Sequence, residues 1–314
     1  MLINLVPEFL AVLKARDRRA AYQHYLDAHR SVLTAYWHNY VIDPDSPQSE
    51  EVIERTITAD RTDLIALLES VDLTALLEDT LARAEDVLEI DRPSDSYLMV
   101  GVGAANAGEL VVHGRGVAFV AVEHFTGSVN PGTFGMGLDP RLIPLWMAHE
   151  LAHTVRYTSP ESLSDIKRLI ESSGGHYDVW QAGSRIALDE LMLNEGLAVH
   201  ASQAVVTGFD PADYFGYARR QYHRLRELEA FLRRSSEPDL DRAALGLRLR
   251  YLTGGMSPAS RLVGGRVIPE RAGYYLGYRM AAAMVSERGV AYALRASSKQ
   301  LRQADDVARG IRMA

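Results

Sequence analysis

No cysteine occurs among the 314 residues. Disulfides, thiolate metal sites, iron–sulfur clusters and a cysteine nucleophile are excluded together, so any bound metal has to be held by histidine and carboxylate. Cationic density is missing as well. Lys and Arg number 34 against 41 Asp and Glu, a formal charge of −7, and no stretch is basic enough to follow a phosphate backbone. Nucleic acid is therefore not an expected partner. Nor is there an apolar run of roughly 18 residues, the length a helix needs to span a bilayer. The opening segment, Met1–Leu13, is apolar but interrupted by Pro7 and Glu8. It carries neither a basic leader nor a small-residue cleavage site and does not read as a secretion signal. With no Asn-x-Ser/Thr acceptor in the chain, the expected address is the cytoplasm, with no membrane partner.

What is present suits a globular chain: 47% hydrophobic and 24% charged residues, enough for a full-sized core. Helical periodicity runs from about Pro7 to Leu88. Phe9, Leu10, Val12 and Leu13 begin an apolar face that Tyr22, Tyr25, Leu26, Val32 and Leu33 continue. After the turn-rich break Asp43–Pro47 it resumes through Leu64, Leu67, Leu68, Leu76, Leu77, Leu81 and Val87. This predicts an N-terminal helical region, residues 1–92, packed as a layer on something else. His24, His29 and His38 lie there without clustered carboxylates and are expected at the surface or in the core.

Past Asp91–Ser94 the period changes. Tyr97–Val102 and Gly116–Val122 are short apolar runs with Glu109–His113 between them, and His113–Gly116 reads as a turn joining antiparallel strands. This predicts one small antiparallel sheet. From Asp139 onward helices are expected at 140–157, 160–171, 185–206, 211–234, 240–252, 269–287 and 298–312. Strands in one segment and helices elsewhere give an α+β fold, mostly helical. Residues 93–314 form a second unit, either separate from or continuous with 1–92.

The chemistry is concentrated in His149-Glu150-Leu151-Ala152-His153, an HExxH in a helical stretch. Four residues advance a helix by about 400°, so His149 and His153 share a face and stand about 6 Å apart along the axis. Two imidazoles so placed can bind one tetrahedral zinc ion. Glu150, offset by about 100°, is placed as general base and proton shuttle. The metzincin extension is excluded, because Arg156 and Ser159 stand where that pattern requires Gly and His. A Glu from a later helix is the other usual third ligand. Glu195, within Asn194-Glu195-Gly196-Leu197-Ala198 on an apolar helix, is favoured, since a carboxylate there needs a partner or a metal to be buried. Glu171, Glu190 and His176 are the rivals.

HELAH followed some forty residues later by NEGLA resembles the gluzincin group of zinc peptidases. More narrowly, the chain is similar to a bacterial family of predicted zinc-dependent proteases that carry HExxH, EGLA and a late GYxxGY. The third element here is Gly273-Tyr274-Tyr275-Leu276-Gly277-Tyr278. The resemblance implies a zincin-like core, one zinc ion per chain on His149, His153 and Glu195, Glu150 as catalytic base, and a peptide or protein substrate. In thermolysin-like enzymes an Asp follows the Glu ligand by four residues and steadies a metal-bound histidine. Val199 stands at that position, leaving Asp189 or Glu190 as substitutes.

GYxxGY also has a physical reading. Pro269 and Glu270 suit a helix start, Tyr274 and Tyr278 share a face, and Gly273 and Gly277 form a strip where another helix can approach. Either tyrosine is a candidate oxyanion donor, and tight packing of tyrosines in the core is the alternative. Gly101-Val-Gly103-Ala-Ala-Asn106 imitates a dinucleotide fingerprint but lacks the third glycine, and β-like sequence follows it. It reads better as a glycine-bearing strand and turn beside the site, where strand addition at a sheet edge could hold an extended peptide. No G-x-S-x-G is present to support a serine hydrolase. A non-peptidase zinc amide or ester hydrolase would use the same metal chemistry, whereas a metal-binding regulatory protein would need the ligands without Glu150.

Overall fold

The structure, a computed structural model, describes residues 1–311. A three-residue strand β1 (Leu2–Asn4) leads into six helices: α1 (Val6–Lys14), α2 (Arg18–Ala28), α3 (Arg30–Tyr40), α4 (Ser49–Thr58), α5 (Thr62–Ser70) and α6 (Leu73–Leu88). Strands β2 (Ser94–Met99), β3 (Ala107–Val112) and β4 (Arg115–Ala121) follow. Two-residue hairpin strands β5 (Val129–Asn130) and β6 (Gly135–Met136) precede α7 (Ile143–Thr158), α8 (Asp165–Ser172), α9 (Val179–Arg185), α10 (Leu188–Val205), α11 (Arg219–Ser236) and α12 (Leu245–Leu252). A second small hairpin, β7 (Leu262–Val263) and β8 (Arg266–Val267), leads to α13 (Ala272–Arg288), α14 (Val290–Arg295) and α15 (Ser298–Ala308). The chain is α+β and mostly helical. Among the described residues no helix is long and apolar enough to cross a membrane.

The antiparallel sheet expected from the sequence is a mixed one. Its order is β1-β2-β4-β3, with β1 parallel to β2, β2 parallel to β4, and only β3 and β4 antiparallel. The hairpin is tight, since His113 and Gly114 both take positive φ (51° and 75°) between the paired Val112 and Arg115, as a two-residue turn matched to strand twist requires. It returns β4 to lie between β3 and β2. β1 escapes sequence reading because three residues cannot show a period of two and run straight into the apolar face of α1.

Helix starts also differ from expectation where turn chemistry delays them. Ser164 caps α8, its side chain accepting from the Lys167 amide, so the helix begins at 165 rather than 160. Asp210, Pro211 and a left-handed Gly216 hold 210–217 in turns, so α11 begins at 219 rather than 211. α12 likewise starts at 245 rather than 240. The short α9 and α14, and both small hairpins, are not anticipated at all. The end expected at position 312 lies outside the described residues.

Strand alternation sorts the sheet's two faces. Phe119 meets Tyr36 and Tyr40 of α3 edge-on, while Gly116 faces Thr154 of α7. The sheet thus lies between α3 and α7. On the far side of α7 pack α6, α10 and α14, and from Ile143 to Tyr157 every residue of α7 is buried. One apolar cluster runs from Leu5 to Leu301.

α10 and α13 meet at their glycines. A Cβ on Gly196 would lie 2.0 Å from the Gly277 carbonyl carbon, and one on Gly277 would lie 1.7 Å from the Met192 carbonyl oxygen. Gly196 of Asn194–Ala198 and Gly277 of Gly273–Tyr278 therefore form a single backbone-to-backbone joint that no other residue fits. Gly277→Ala is expected to destabilise the chain by about 2 kcal/mol or more, read as a lowered thermal or denaturant midpoint. An unchanged midpoint would show that the two helices separate freely.

Candidate metal centre

α7 carries His149 and His153 with their rings T-shaped and 5.0 Å apart. α10, held by its glycine joint, brings Glu195 to face both. The Glu195 Oε2 lies 3.5 Å from His149 Nε2 and 3.6 Å from His153 Nε2. Both imidazoles are 2% exposed and the Glu195 side chain 18%. One donor atom from each residue falls within 4.8 Å of the others, the compactness of a metal-ligand set. Tetrahedral ligands 2.0–2.1 Å from zinc would stand about 3.4 Å from one another, so two imidazole nitrogens and a carboxylate oxygen spaced in this way fit that ion.

The charges agree with the grouping. Burial alone would raise the Glu195 pKa, but the His153 charge and the contacts with both imidazoles hold it far below the usual carboxylate range. Burial lowers the His149 pKa to about 4. Burial also opposes charge on His153, yet the carboxylates of Glu109 and Glu195 outweigh it and hold that imidazole up at about 10. Burial pushes the Glu150 carboxyl well above its ordinary range, with Glu109 adding to the rise and His153 opposing it.

The remaining residues singled out in the sequence divide clearly. Tyr274 stacks on the His149 ring, 6.3 Å between centroids and 16° between planes. Tyr278, one turn on, stacks instead on His200 at 4.0 Å and packs edge-on against Phe215. Glu171 is exposed and paired with Lys167. His176 is exposed against His113. Glu190 is fully buried in a two-pronged pair with Arg156, 2.8 and 2.9 Å. Asp189 accepts from Arg302 at 3.1 Å. Neither Asp189 nor Glu190 steadies a histidine of the pair, and both Nδ1 atoms, on His149 and His153, lack a hydrogen-bond partner among the described residues.

The glycine turn at 101–103 wraps a carboxylate of its own chain. The amides of Gly101 and Gly103 donate to the buried Glu123 at 2.9 and 3.2 Å. Strand addition beside the site is obstructed on β3, the edge strand nearest the histidines' carboxylate neighbour Glu109. The Tyr40 hydroxyl accepts from the Glu109 amide and lies 3.0 Å from its carbonyl, and the Val111 carbonyl accepts from the Tyr177 amide. A cavity of about 810 Å³ lies elsewhere, between α2, α3 and residues 173–181.

Two residues near the histidines escaped sequence reasoning. Glu109 is one, and its signal was a lone carboxylate inside an apolar strand. It projects from β3 toward α7, where it groups with Glu150 and His153 within 4.8 Å. Phenol hydroxyls of Tyr40 and Tyr157 each lie 3.0 Å from its carboxylate oxygens, and Asn194 in turn donates to the Tyr157 oxygen at 2.9 Å. Arg271 is the other, and no pattern marks it. It precedes α13 in a left-handed conformation, φ 54°, with its guanidinium carbon 4.2 Å from the centroid of Tyr274.

Residues 177–303 match the model of the family described as Predicted Zn-dependent protease (DUF2268), and the chain resembles that family over this stretch. The match takes in Glu195 and Gly273–Tyr278 and begins beyond His149–His153. No curated protein and no solved structure gave a match.

Glu109 adds negative charge beside His153 and Glu150. The isosteric Glu109→Gln variant is therefore expected to bind zinc roughly ten- to hundredfold more weakly in competition with a chromophoric chelator. Unchanged affinity in a folded variant would reduce Glu109 to an anchor for Tyr40 and Tyr157.

Proposed function

We propose that this chain is a zinc-dependent peptidase of the gluzincin type, with a zincin-like core holding one zinc ion through His149, His153 and Glu195. The carrying observation is the convergence of both imidazole Nε2 atoms on a single oxygen of Glu195, at 3.5 and 3.6 Å. The family match over 177–303 supports peptide bonds as the target. Residues 1–92 and 93–314 are proposed to act as one unit, supported by the pairing of β1 with β2 and by Tyr40 of α3 on Glu109 of β3.

Zinc, when bound, supplies Lewis acidity toward a water and toward the substrate carbonyl. The chain's own groups supply the rest. Glu150 removes the proton from the attacking water and passes it to the leaving amine, a double duty that suits its raised pKa. Tyr274, beside His149, donates to the carbonyl oxygen as negative charge develops there. Tyr278 faces His200 and is the less suited of the two.

Metal content by mass spectrometry tests the ligand set. Tag-free wild type is expected to hold about one zinc per chain and Glu195→Ala to hold clearly less. A zinc-replete Glu195→Ala would remove Glu195 from the set, and a wild type that takes up no added zinc would overturn the enzyme reading. Glu150→Gln is expected to keep its zinc and lose peptide hydrolysis by about a thousandfold, followed with a mixed fluorogenic peptide library. Loss of zinc in that variant would make Glu150 structural.

A further inference from the structure

The segment entering α13 holds a guanidinium that the hydrolytic steps above do not use. Arg271 takes a left-handed backbone, φ 54°, which a residue with a large side chain adopts only when its surroundings fix it. They do so here. The Arg271 carbonyl accepts from the Tyr217 hydroxyl at 2.6 Å, and the Glu270 carbonyl from the Gln221 side chain at 2.8 Å. The Glu270 carboxylate is turned away, to the Gly255 amide and Arg261.

The side chain so placed lies among aromatic faces. Its guanidinium carbon is 4.2 Å from the Tyr274 ring centroid and 6.0 Å from those of Trp146 and Tyr217. Trp146 and Tyr274 in turn border His149, at 5.4 and 6.3 Å between ring centroids. Among the described residues no carboxylate oxygen lies within 4.0 Å of the Arg271 nitrogens. Arginine is the residue suited to two-pronged recognition of a carboxylate, and a fixed, half-buried one packed on aromatic rings without a carboxylate partner keeps that capacity for a ligand.

We propose that Arg271 binds a substrate carboxylate next to the scissile bond, so that the preferred peptides carry a negative charge there. The charge can be the free C-terminal carboxylate or an acidic side chain. The inference rests on the zinc-peptidase reading of the same site and extends it to a substrate class.

The test uses full-length cobalt-substituted protein and its visible spectrum. Acetohydroxamate, which needs only the metal, is compared with benzylsuccinate, whose second carboxylate needs a cation. Arg271→Gln is expected to weaken benzylsuccinate roughly tenfold or more and to leave acetohydroxamate within about twofold, with Arg271→Lys recovering part of the loss. Equal benzylsuccinate affinity in wild type and Arg271→Gln, with hydroxamate binding intact, overturns the carboxylate site alone. No metal and no hydroxamate binding in wild type overturns the peptidase reading, and this inference falls with it.

Peptides bound to zinc-loaded Glu150→Gln protein separate the two sources. Binding that requires a free terminal acid and Arg271 marks a C-terminal carboxylate. Binding of an amidated peptide that requires an internal Glu and Arg271 marks an acidic side chain. If neither depends on Arg271, the proposal is wrong.

Discussion

Helix α7 is buried on all sides, so the charged groups it carries need partners from neighbouring elements, and those pairings organise the protein's interior. A charged group moved out of water without a partner is destabilising by several kcal/mol. His149 and His153 face Glu195 of α10. Arg156 meets Glu190 of α10 and donates to the carbonyls of Leu294 and Ala296, both at 2.9 Å. Thr154 lies against the sheet, its hydroxyl 3.0 Å from that of Ser94. One face of α7 thus carries the candidate metal donors while another fastens the helix to α10 and α14. Glu190, a rival ligand on sequence alone, is the anchor that fixes α10 so that Glu195 can be the donor.

The second constraint is the joint between α10 and α13. Helices normally stand 8–10 Å apart because side chains intervene, but Gly196 and Gly277 remove the side chains and bring backbone to backbone. That contact fixes Glu195, the residue before Gly196, relative to Tyr274 and Arg271 at the start of α13. The two motifs are separated by some eighty residues in sequence, yet each is the other's packing surface. Of the two readings of GYxxGY, an oxyanion donor or tight packing, the packing is seen at Gly277, and the position of Tyr274 beside His149 is compatible with the proposed donor.

What the sequence could reveal follows from the range of each interaction. The HExxH geometry is local to one helix and was readable from 3.6 residues per turn, and the β3–β4 hairpin was readable from its turn residues. Glu195 stood out as a carboxylate on an apolar helix. The parallel pairing of β1 with β2 joins residues more than ninety positions apart, and nothing in the three residues of β1 announces it. Glu109 was visible as a charge in an apolar strand, but its purpose depends on a face of α7 that only the fold supplies. Arg271 gave no signal, because its importance lies in a backbone conformation and in aromatic neighbours drawn from three separate segments.

These constraints also bear on the direction from which the proposed substrate would arrive. On the β3 side the histidines are backed by Glu109, Tyr40, Tyr157 and Tyr177, whose hydroxyls and amides are already engaged with one another and with the strand. An extended peptide would have to displace Tyr40 to reach the Glu109 main chain. The α13 side is different. Glu195 is the most exposed of the three donors, and Tyr274 and Arg271 beside it are only partly buried. The backbone around Arg271 is pinned by Tyr217 and Gln221, so groups there are held in place before any ligand arrives, which reduces the ordering that binding would otherwise require. On this side the proposed substrate would meet Arg271 and Tyr274 beside the candidate donors His149, His153 and Glu195.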